Sequence, residues 1–334
     1  MEKVIVALDA MGGDYAPEQT VQGAVNAVRS SSDIKVILVG KEERLKEELY
    51  TKCGYSGDAI EIVNATEIIE MGDVPTSAIK NKKDSSLVVA MKLVRDGKAD
   101  AVVSAGSTGA ILVGGQLVVG RLRGIKRPPL APFVPTTKGF SLLLDCGANV
   151  DARPEHLVQF AQMGSIYYEN VMGKKNPTVG ILNIGTEEEK GNQLVKDTKP
   201  LLEQCGTINY VGSIESREIV RGAVDVIVCE AFVGNIVLKF FEGLTLTLFD
   251  SLKQGLMSSL RTKIGTLLVK PALKGLKKQF DTSSQGGAPL LGLKGLVVKA
   301  HGNSTSKEIE IAIKQCVSFK KQKINEKIKE SISE

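Results

Sequence analysis

The sequence predicts an α/β fold, a three-layer Rossmann-like arrangement in which a mostly parallel sheet carries helices on both faces. Three observations carry that expectation. Short runs rich in Val, Ile and Leu, such as Lys3–Asp9, Ala101–Val103 and Thr178–Asn183, alternate too little for half-exposed strands and suit strands covered on both faces. Segments of helical length separate these runs. The runs also end repeatedly in loops of glycine, hydroxyl, acidic and amide residues, the place where ligands of open α/β sheets gather.

Lys3–Asp9 is the first strand and ends in Asp9-Ala-Met-Gly-Gly-Asp14, after which Pro17 opens a helix to Ser30. Val36–Gly40 and Ile60–Asn64 are strands around a charged helix, Glu42–Leu49, and Met71–Thr76 reads as a turn. Ser85–Arg95 is a helix with serine at its start. Ala101–Val103 then opens through Ser104, Gly106, Ser107, Thr108 and Gly109 into an apolar helix. Such an opening leaves backbone N–H groups unpaired at the positive end of a helix dipole. The glycines admit an anion, and the hydroxyls either cap the helix or donate to a phosphate oxygen. A basic link, Arg121–Pro129, leads into Leu130–Pro135 and the strand Phe140–Asp145, which runs into Asp145-Cys-Gly-Ala-Asn149. Pro154–Tyr168 is helical, and the strand Thr178–Asn183 ends in Ile184-Gly-Thr-Glu-Glu-Glu-Lys190-Gly-Asn192. Ile208–Gly212 and Asp225–Cys229 are strands, the second leading into Glu230-Ala-Phe-Val-Gly-Asn235.

Ile236–Phe280 departs from this rhythm. Its composition is helical, with a break expected at Pro271. Lys253, Arg261, Lys263, Lys270, Lys274, Lys277 and Lys278 fall between Ser251 and Phe280 with no acidic residue among them. Leu252, Leu256, Leu260, Ile264 and Leu267 recur at helical spacing and give one apolar face. A solvated helical pair on its own core accounts for the apolar face, as does a dimer contact. Unbalanced cations point instead to an anionic lipid surface or an acidic protein, at about 1 kcal/mol per cation near a charged membrane. A strand Leu296–Lys299, the segment Ala300-His301-Gly302-Asn303-Ser304 and a charged helix Lys307–Glu334 complete the chain. No repeat or linker divides it, so residues 1–334 read as one α/β catalytic unit with residues 236–281 as a protruding hairpin.

Composition excludes several function classes. With no Trp and 4% aromatic residues, stacking on bases is not expected, and neither is a nucleic-acid partner. Five cysteines without a C-x-x-C pair fit a reduced, cytoplasmic protein, and Cys146 and Cys229 sit in apolar runs as packing residues. The two histidines and the cysteines form no metal spacing, so no metal is expected. His156 reads as a helix-start polar residue, whereas His301, between a strand and a glycine, is a site candidate. Glycine fingerprints for dinucleotides or Walker-type nucleotides are absent, as is a G-x-S-x-G elbow. The N-terminal apolar run is interrupted too soon by Asp9 for a signal peptide, and no apolar stretch approaches the roughly 20 residues of a membrane span.

Taken together, Asp9-Ala-Met-Gly-Gly-Asp14 with Ala16-Pro17, Ser104-Ala-Gly-Ser-Thr-Gly-Ala110, Asp145-x-Gly-Ala-Asn149, Gly185-Thr-Glu-x-x-Lys190-Gly191-Asn192, Phe232-x-Gly-Asn235 and Lys299-Ala-His301-Gly302 resemble the PlsX phosphate acyltransferases over essentially the whole chain. Ser107 stands where that family usually has Asn, Cys146 where Val is common, and Glu230-Ala231 where Asp-Gly is frequent. The resemblance implies transfer of a long-chain fatty acyl group from acyl carrier protein to inorganic phosphate. The acyl phosphate product would feed phospholipid synthesis. It further implies a fold similar to the isocitrate and isopropylmalate dehydrogenases, no cofactor, a homodimer, and peripheral association with the membrane, where a downstream acyltransferase is a further partner.

That reaction needs no Ser–His–Asp constellation, because hydrogen phosphate is already ionised and a thiolate leaves readily. It needs orientation and donors for two anions. The expectation is that Ser104, Gly106, Ser107, Thr108 and Gly109 cradle phosphate, with Gly12, Gly13, Asp14, Asp145, Asn149, Asn183 and Thr186 completing the binding set. Lys190 is expected to neutralise charge, His301 or Asn235 to steady the thioester carbonyl, and Asp9 to orient donors. Three rivals stand beside this reading, one of them a non-catalytic membrane adaptor that uses the hairpin but leaves the convergent polar loops unexplained. An acyl-coenzyme A donor needs no basic docking hairpin, and a decarboxylating hydroxyacid dehydrogenase needs a metal and a nicotinamide site.

Overall fold

Strand burial explains the sequence pattern directly. In β1 (Val4–Asp9) and β2 (Ile34–Gly40) only one residue of each is not buried, so neither alternates. The computed structural model describes residues 3–280 and 286–333. After β3 (Ile60–Asn64) and β4 (Ala101–Ser104) come β5 (Phe133–Thr136), β6 (Gly139–Leu144), β7 (Thr178–Asn183), β8 (Asn209–Glu215), β9 (Val226–Val228), β10 (Ala288–Leu290) and β11 (Leu296–Lys299). They form two sheets, in the orders β10-β11-β4-β1-β2-β3 and β5-β6-β9-β7-β8. All pairs are parallel except β10 with β11 and β5 with β6, each at a sheet edge.

The division into two sheets is a difference from the single sheet that the strand rhythm implies. It arises at β5–β6, where Gly139 (φ +125°) turns the chain back on itself and starts the second sheet with an antiparallel edge. The core is nonetheless continuous. Leu8, Leu38, Val103 and Val298 of the first sheet belong to the same buried cluster as Leu142, Leu144, Val179 and Val226 of the second. Phe160 and Tyr167 of the helix Pro154–Met172 are fully buried within it, and Tyr167 packs on Phe133 with ring centroids 5.7 Å apart. Helices cover both faces, giving the α/β class that the sequence predicts.

Several boundaries differ from those the sequence predicts. Met71–Thr76 is not only a turn, since Pro75 starts a helix, Pro75–Asn81, at the position where a missing N–H costs nothing. The strand expected at Leu130–Pro135 is confined to β5, and β10 has no counterpart among the predicted strands. Glu230–Asn235 is no loop, because a helix runs unbroken from Ala231 to Leu256. By length and composition this 26-residue helix is long and apolar enough to cross a membrane, against the expectation that no stretch is. Its first turns are anchored in the protein. Ala231, Gly234 and Leu238 are buried, and a Cβ on Gly234 would collide with the Asp145 carbonyl oxygen.

The hairpin turns at Met257–Ser259 and not at Pro271. Ser259 accepts a hydrogen bond from the Thr262 amide at 3.2 Å and so caps the second helix, Leu260–Gln279, which carries Pro271 in its interior. The expected apolar face is therefore split between two helices. Leu260, Ile264 and Leu267 remain exposed, and the second helix buries no residue. Asp281, the last residue assigned to the hairpin, lies outside the described residues, as does Glu334 at the end of the terminal helix.

Candidate active site

Three loops meet at the carboxyl ends of the first sheet. The register places Ser104 beside both Asp9 and Lys299. Asp9 is 2% exposed and accepts a hydrogen bond from the Ser104 hydroxyl at 2.7 Å, while Ser104 Oγ accepts the Gly106 amide at 3.1 Å. Burial holds the Asp9 carboxyl above its ordinary range, opposed by the Ser86 and Ser104 hydroxyls and the Met11 and Gly12 amides. None of these completes a hydrogen bond to Oδ1, which is left without a partner. Gly12 and Gly13 are required by contact: a Cβ on Gly12 would meet Asp9 Oδ2 at 2.5 Å, and Gly13 (φ +104°) would meet Ala105 at 2.9 Å. The Asp14 amide donates to the Gly302 carbonyl at 2.7 Å, which ties the first loop to the His301 segment.

The second sheet ends differently. Asp145 is fully buried and both its oxygens are engaged, by the Leu130 amide (2.9 Å), the Ala148 amide (3.2 Å) and the Asn149 side chain (2.7 Å). Burial outweighs these donors and pushes its carboxyl up to about 6. Asn149 also donates to the Pro128 carbonyl, so the pair holds the loop before β5. Asn183 is spent in the same way: Oδ1 accepts the Ile184 amide, and Nδ2 donates to the Lys190 carbonyl at 3.2 Å.

Between the two sets of strand ends lies a cavity of about 310 Å³ whose wall includes Thr108, Cys146, Asn235, Lys239, Glu242, Lys299 and His301. The Glu242 carboxylate bridges two of them. Oε2 accepts from Lys239 Nζ at 2.7 Å and Oε1 lies 3.5 Å from His301 Nε2. Burial lowers Lys299 to about 8, reinforced by the neighbouring Lys239 charge and opposed by Asp14 and Glu242. Burial likewise lowers His301, with Glu242 opposing and Lys239 and Lys299 reinforcing, so the imidazole is neutral near pH 7.

The helices that carry Thr108 and Asn235 into the cavity wall differ at their N-termini. Glu230 closes the first turn of Ala231–Leu256 with its own carboxylate, accepting the Phe232 and Val233 amides at 2.5 and 2.9 Å. The helix Thr108–Gly114, continued by a π-helical turn to Val119, has no side-chain cap. Its leading amides are the ones free to meet an anion. Gly109 does not serve that approach, since its missing Cβ makes room for Pro75 at 2.5 Å.

Of the residues singled out from the sequence, the structure gathers Thr108, Asn235 and His301 in the cavity wall, with Asp9, Gly12, Gly13, Asp14, Ser104, Gly106 and Ser107 in the loops behind it. Lys190 and Thr186 are not brought there. Both are exposed on a loop that folds on itself, the Lys190 amide donating to the Glu187 carbonyl at 3.3 Å. That loop follows β7, and β9 separates β7 from β6. The cavity's cations are instead Lys239 and Lys299. Lys239 and Glu242 are absent from the residues the sequence singles out, although a signal for them exists: Asn235, Lys239 and Glu242 recur at spacings of four and three on an otherwise apolar helix. His156 accepts the Arg153 amide as part of a helix cap, and Cys146 and Cys229 are buried thiols raised well above their ordinary value, as packing residues should be. Among the described residues no group of His, Cys, Asp or Glu could hold a metal ion.

Residues 4–327 match the model of a family described as fatty acid synthesis protein. The chain is 48% identical to a phosphate acyltransferase of Clostridium acetobutylicum over 331 residues, 99% of each chain. It is 49% identical to one of Alkaliphilus oremlandii, covering 98% of this chain and 97% of that one. A phosphotransacetylase from Streptococcus pyogenes has a similar fold, with a TM-score of 0.66 at 17% identity over 95% of this chain and 94% of that chain.

Proposed function

Since the chain belongs to the fatty acid synthesis protein family, as a phosphate acyltransferase, we propose that its donor is a long-chain acyl group on acyl carrier protein and its product an acyl phosphate for phospholipid synthesis. The observation that supports the mechanism is the convergence, in one cavity, of an uncapped helix N-terminus, two lysines, a neutral imidazole and an amide.

Phosphate is held by the Thr108 amide and hydroxyl and by the Lys299 and Lys239 ammonium groups. One phosphate oxygen attacks the thioester carbonyl carbon. The oxyanion that forms is met by Asn235 Nδ2, and a preorganised donor of this kind lowers the barrier. Collapse of the intermediate breaks the C–S bond and releases the carrier thiolate, which takes up the proton given up by hydrogen phosphate. Glu242 sets the position of Lys239 and His301. Asp9 acts behind the site by fixing Ser104, and through it the Gly106 turn. Lys190 stands outside this step and holds the Asn183 loop.

The basic hairpin is the docking surface in this reading. Acyl carrier protein is acidic, and the exposed cations and leucines of the second helix suit both that partner and an anionic membrane surface, from which a membrane acyltransferase takes the product. A homodimer would cover part of the same apolar side chains. The discriminating assay follows phosphate-dependent loss of palmitoyl thioester, on acyl carrier protein and on coenzyme A, with the acyl phosphate identified by mass. Joint replacement Lys270→Glu, Lys274→Glu and Lys278→Glu is expected to raise KM for the carrier thioester at least ten-fold and to leave the coenzyme A thioester unaffected. Equal use of both donors, indifferent to the replacement, would point to the coenzyme A reading.

A further inference from the structure

The cavity does not end at His301. Lys239, Glu242 and His301 also wall a second cleft, of about 510 Å³, that follows the helix Ala231–Leu256. That cleft shares Phe241, Thr245, Phe249 and Phe280 with a third hollow of about 290 Å³. The remaining walls of the third are Val220, Leu244, Leu248, Leu252 and Leu276, so Thr245 contributes its one hydroxyl. The lining passes from charged to apolar in one direction, between the first hairpin helix and the end of the second. From Lys239 to Leu252 the path covers thirteen residues of helix, about 20 Å at ~1.5 Å per residue.

We propose that this trough is the acyl-chain site, holding the thioester carbonyl at the His301 end and the methyl end of the chain towards Leu252. The inference rests on the acyl-transfer reading above and adds where the chain lies. Continuity selects the occupant. A membrane or a second copy of the chain would cover outward side chains such as Leu260 and Leu268, which are 78% and 82% exposed, but would have no use for a trough that opens at one end into a charged cavity. A molecule with a polar reacting head and a long apolar tail uses both. Each methylene buried along it is worth roughly four-fold in affinity, so specificity should climb with chain length until the trough is filled.

The chain contains no Trp, so a single introduced indole is a clean reporter. In the Leu252→Trp variant, stearate brominated at mid-chain should quench the fluorescence saturably. In Leu268→Trp, on the outward face of the second helix, it should not. Thr245→Trp, which narrows the trough part-way, should lower kcat/KM for a palmitoyl thioester at least ten-fold and leave a butyryl thioester within two-fold. Equal quenching at both reporters means adsorption over the whole hairpin and overturns the proposal, as does no quenching at Leu252→Trp. So does an equal loss for both thioesters. Saturable quenching in Leu252→Trp alone, with no thioester turned over by the unaltered protein, would uphold the chain site and overturn the transfer reading instead.

Discussion

The two sheets end in similar devices, an aspartate at the carboxyl end of an internal strand followed by glycine, and the two carboxylates have opposite surroundings. Asp145 has every oxygen engaged by the Leu130, Ala148 and Asn149 donors. Asp9, equally buried, keeps one oxygen without a partner and lies in register with Ser104, itself beside Lys299. A saturated buried carboxylate is scaffold, because any change in its contacts costs hydrogen bonds. An unsaturated one, with a single strand between it and a lysine whose charge is destabilised by burial, is the arrangement that functional sites carry. In the proposed mechanism the Asp9 carboxylate therefore serves the site and the Asp145 carboxylate the frame, although the two read alike in the sequence.

Lys299 is where that contrast breaks most easily. Lys299→Met should lower phosphate-dependent turnover at least one-hundred-fold, the scale for losing a preorganised charge donor. The same change should raise the melting temperature, because burial disfavours the ammonium form that the fold must carry at pH 7. A variant that loses both stability and activity would make Lys299 a structural residue. The sign of the pH dependence follows from the same lysine. It is cationic below about 8, so kcat/KM for phosphate should fall as pH rises through that value, and Lys299→Arg should move the fall upward.

Asp9→Asn comes next in size. The neutral amide accepts from Ser104 less strongly than the carboxylate, so the Gly106 turn is held less firmly and kcat/KM for phosphate should drop at least ten-fold. Melting should be unchanged or slightly raised, since a buried carboxyl with an empty oxygen is removed. Unchanged kinetics with a lowered melting temperature would place Asp9 with Asp145 as frame.

Much of this is legible in the residues alone, and the exceptions have physical reasons. The first loop announces itself because Gly12 and Gly13 stand where a Cβ would strike Asp9 or Ala105, a constraint that only glycine meets. Lys239 and Glu242 are hidden by a helix boundary. Glu230 caps a helix, while the glycine-bearing run Glu230–Asn235 after a strand reads as a loop, and the stripe facing the cavity is lost with the first turn. Lys190 is misplaced because spatial strand order is not written in sequence order, and β9 comes between β6 and β7. Pro271 is a stronger breaker by type than Ser259, yet the Ser259 cap decides where the chain turns. The hairpin's apolar face cannot be assigned from periodicity, since within one chain little covers it.

Asp145→Asn tests the frame side of the comparison, and its effect should appear in stability alone. The folded carboxyl titrates at about 6, above its ordinary 3.8, so the native state binds the proton more readily than the unfolded chain. Its contribution is therefore fully present below pH 3.8 and lost as pH rises through about 6. The loss is on the order of 3 kcal/mol, since each pH unit separating the folded and unfolded titrations carries about 1.4 kcal/mol. Asn does not titrate. The urea-unfolding free energy of the unaltered protein, taken relative to the variant, should accordingly fall by up to that amount between about pH 4 and pH 7, while turnover per folded molecule stays within three-fold. A flat difference across this range would mean that the Asp145 carboxylate is not strained by burial. A large loss of turnover with no change in stability would move Asp145 itself into the chemistry and undo the contrast between the two strand ends.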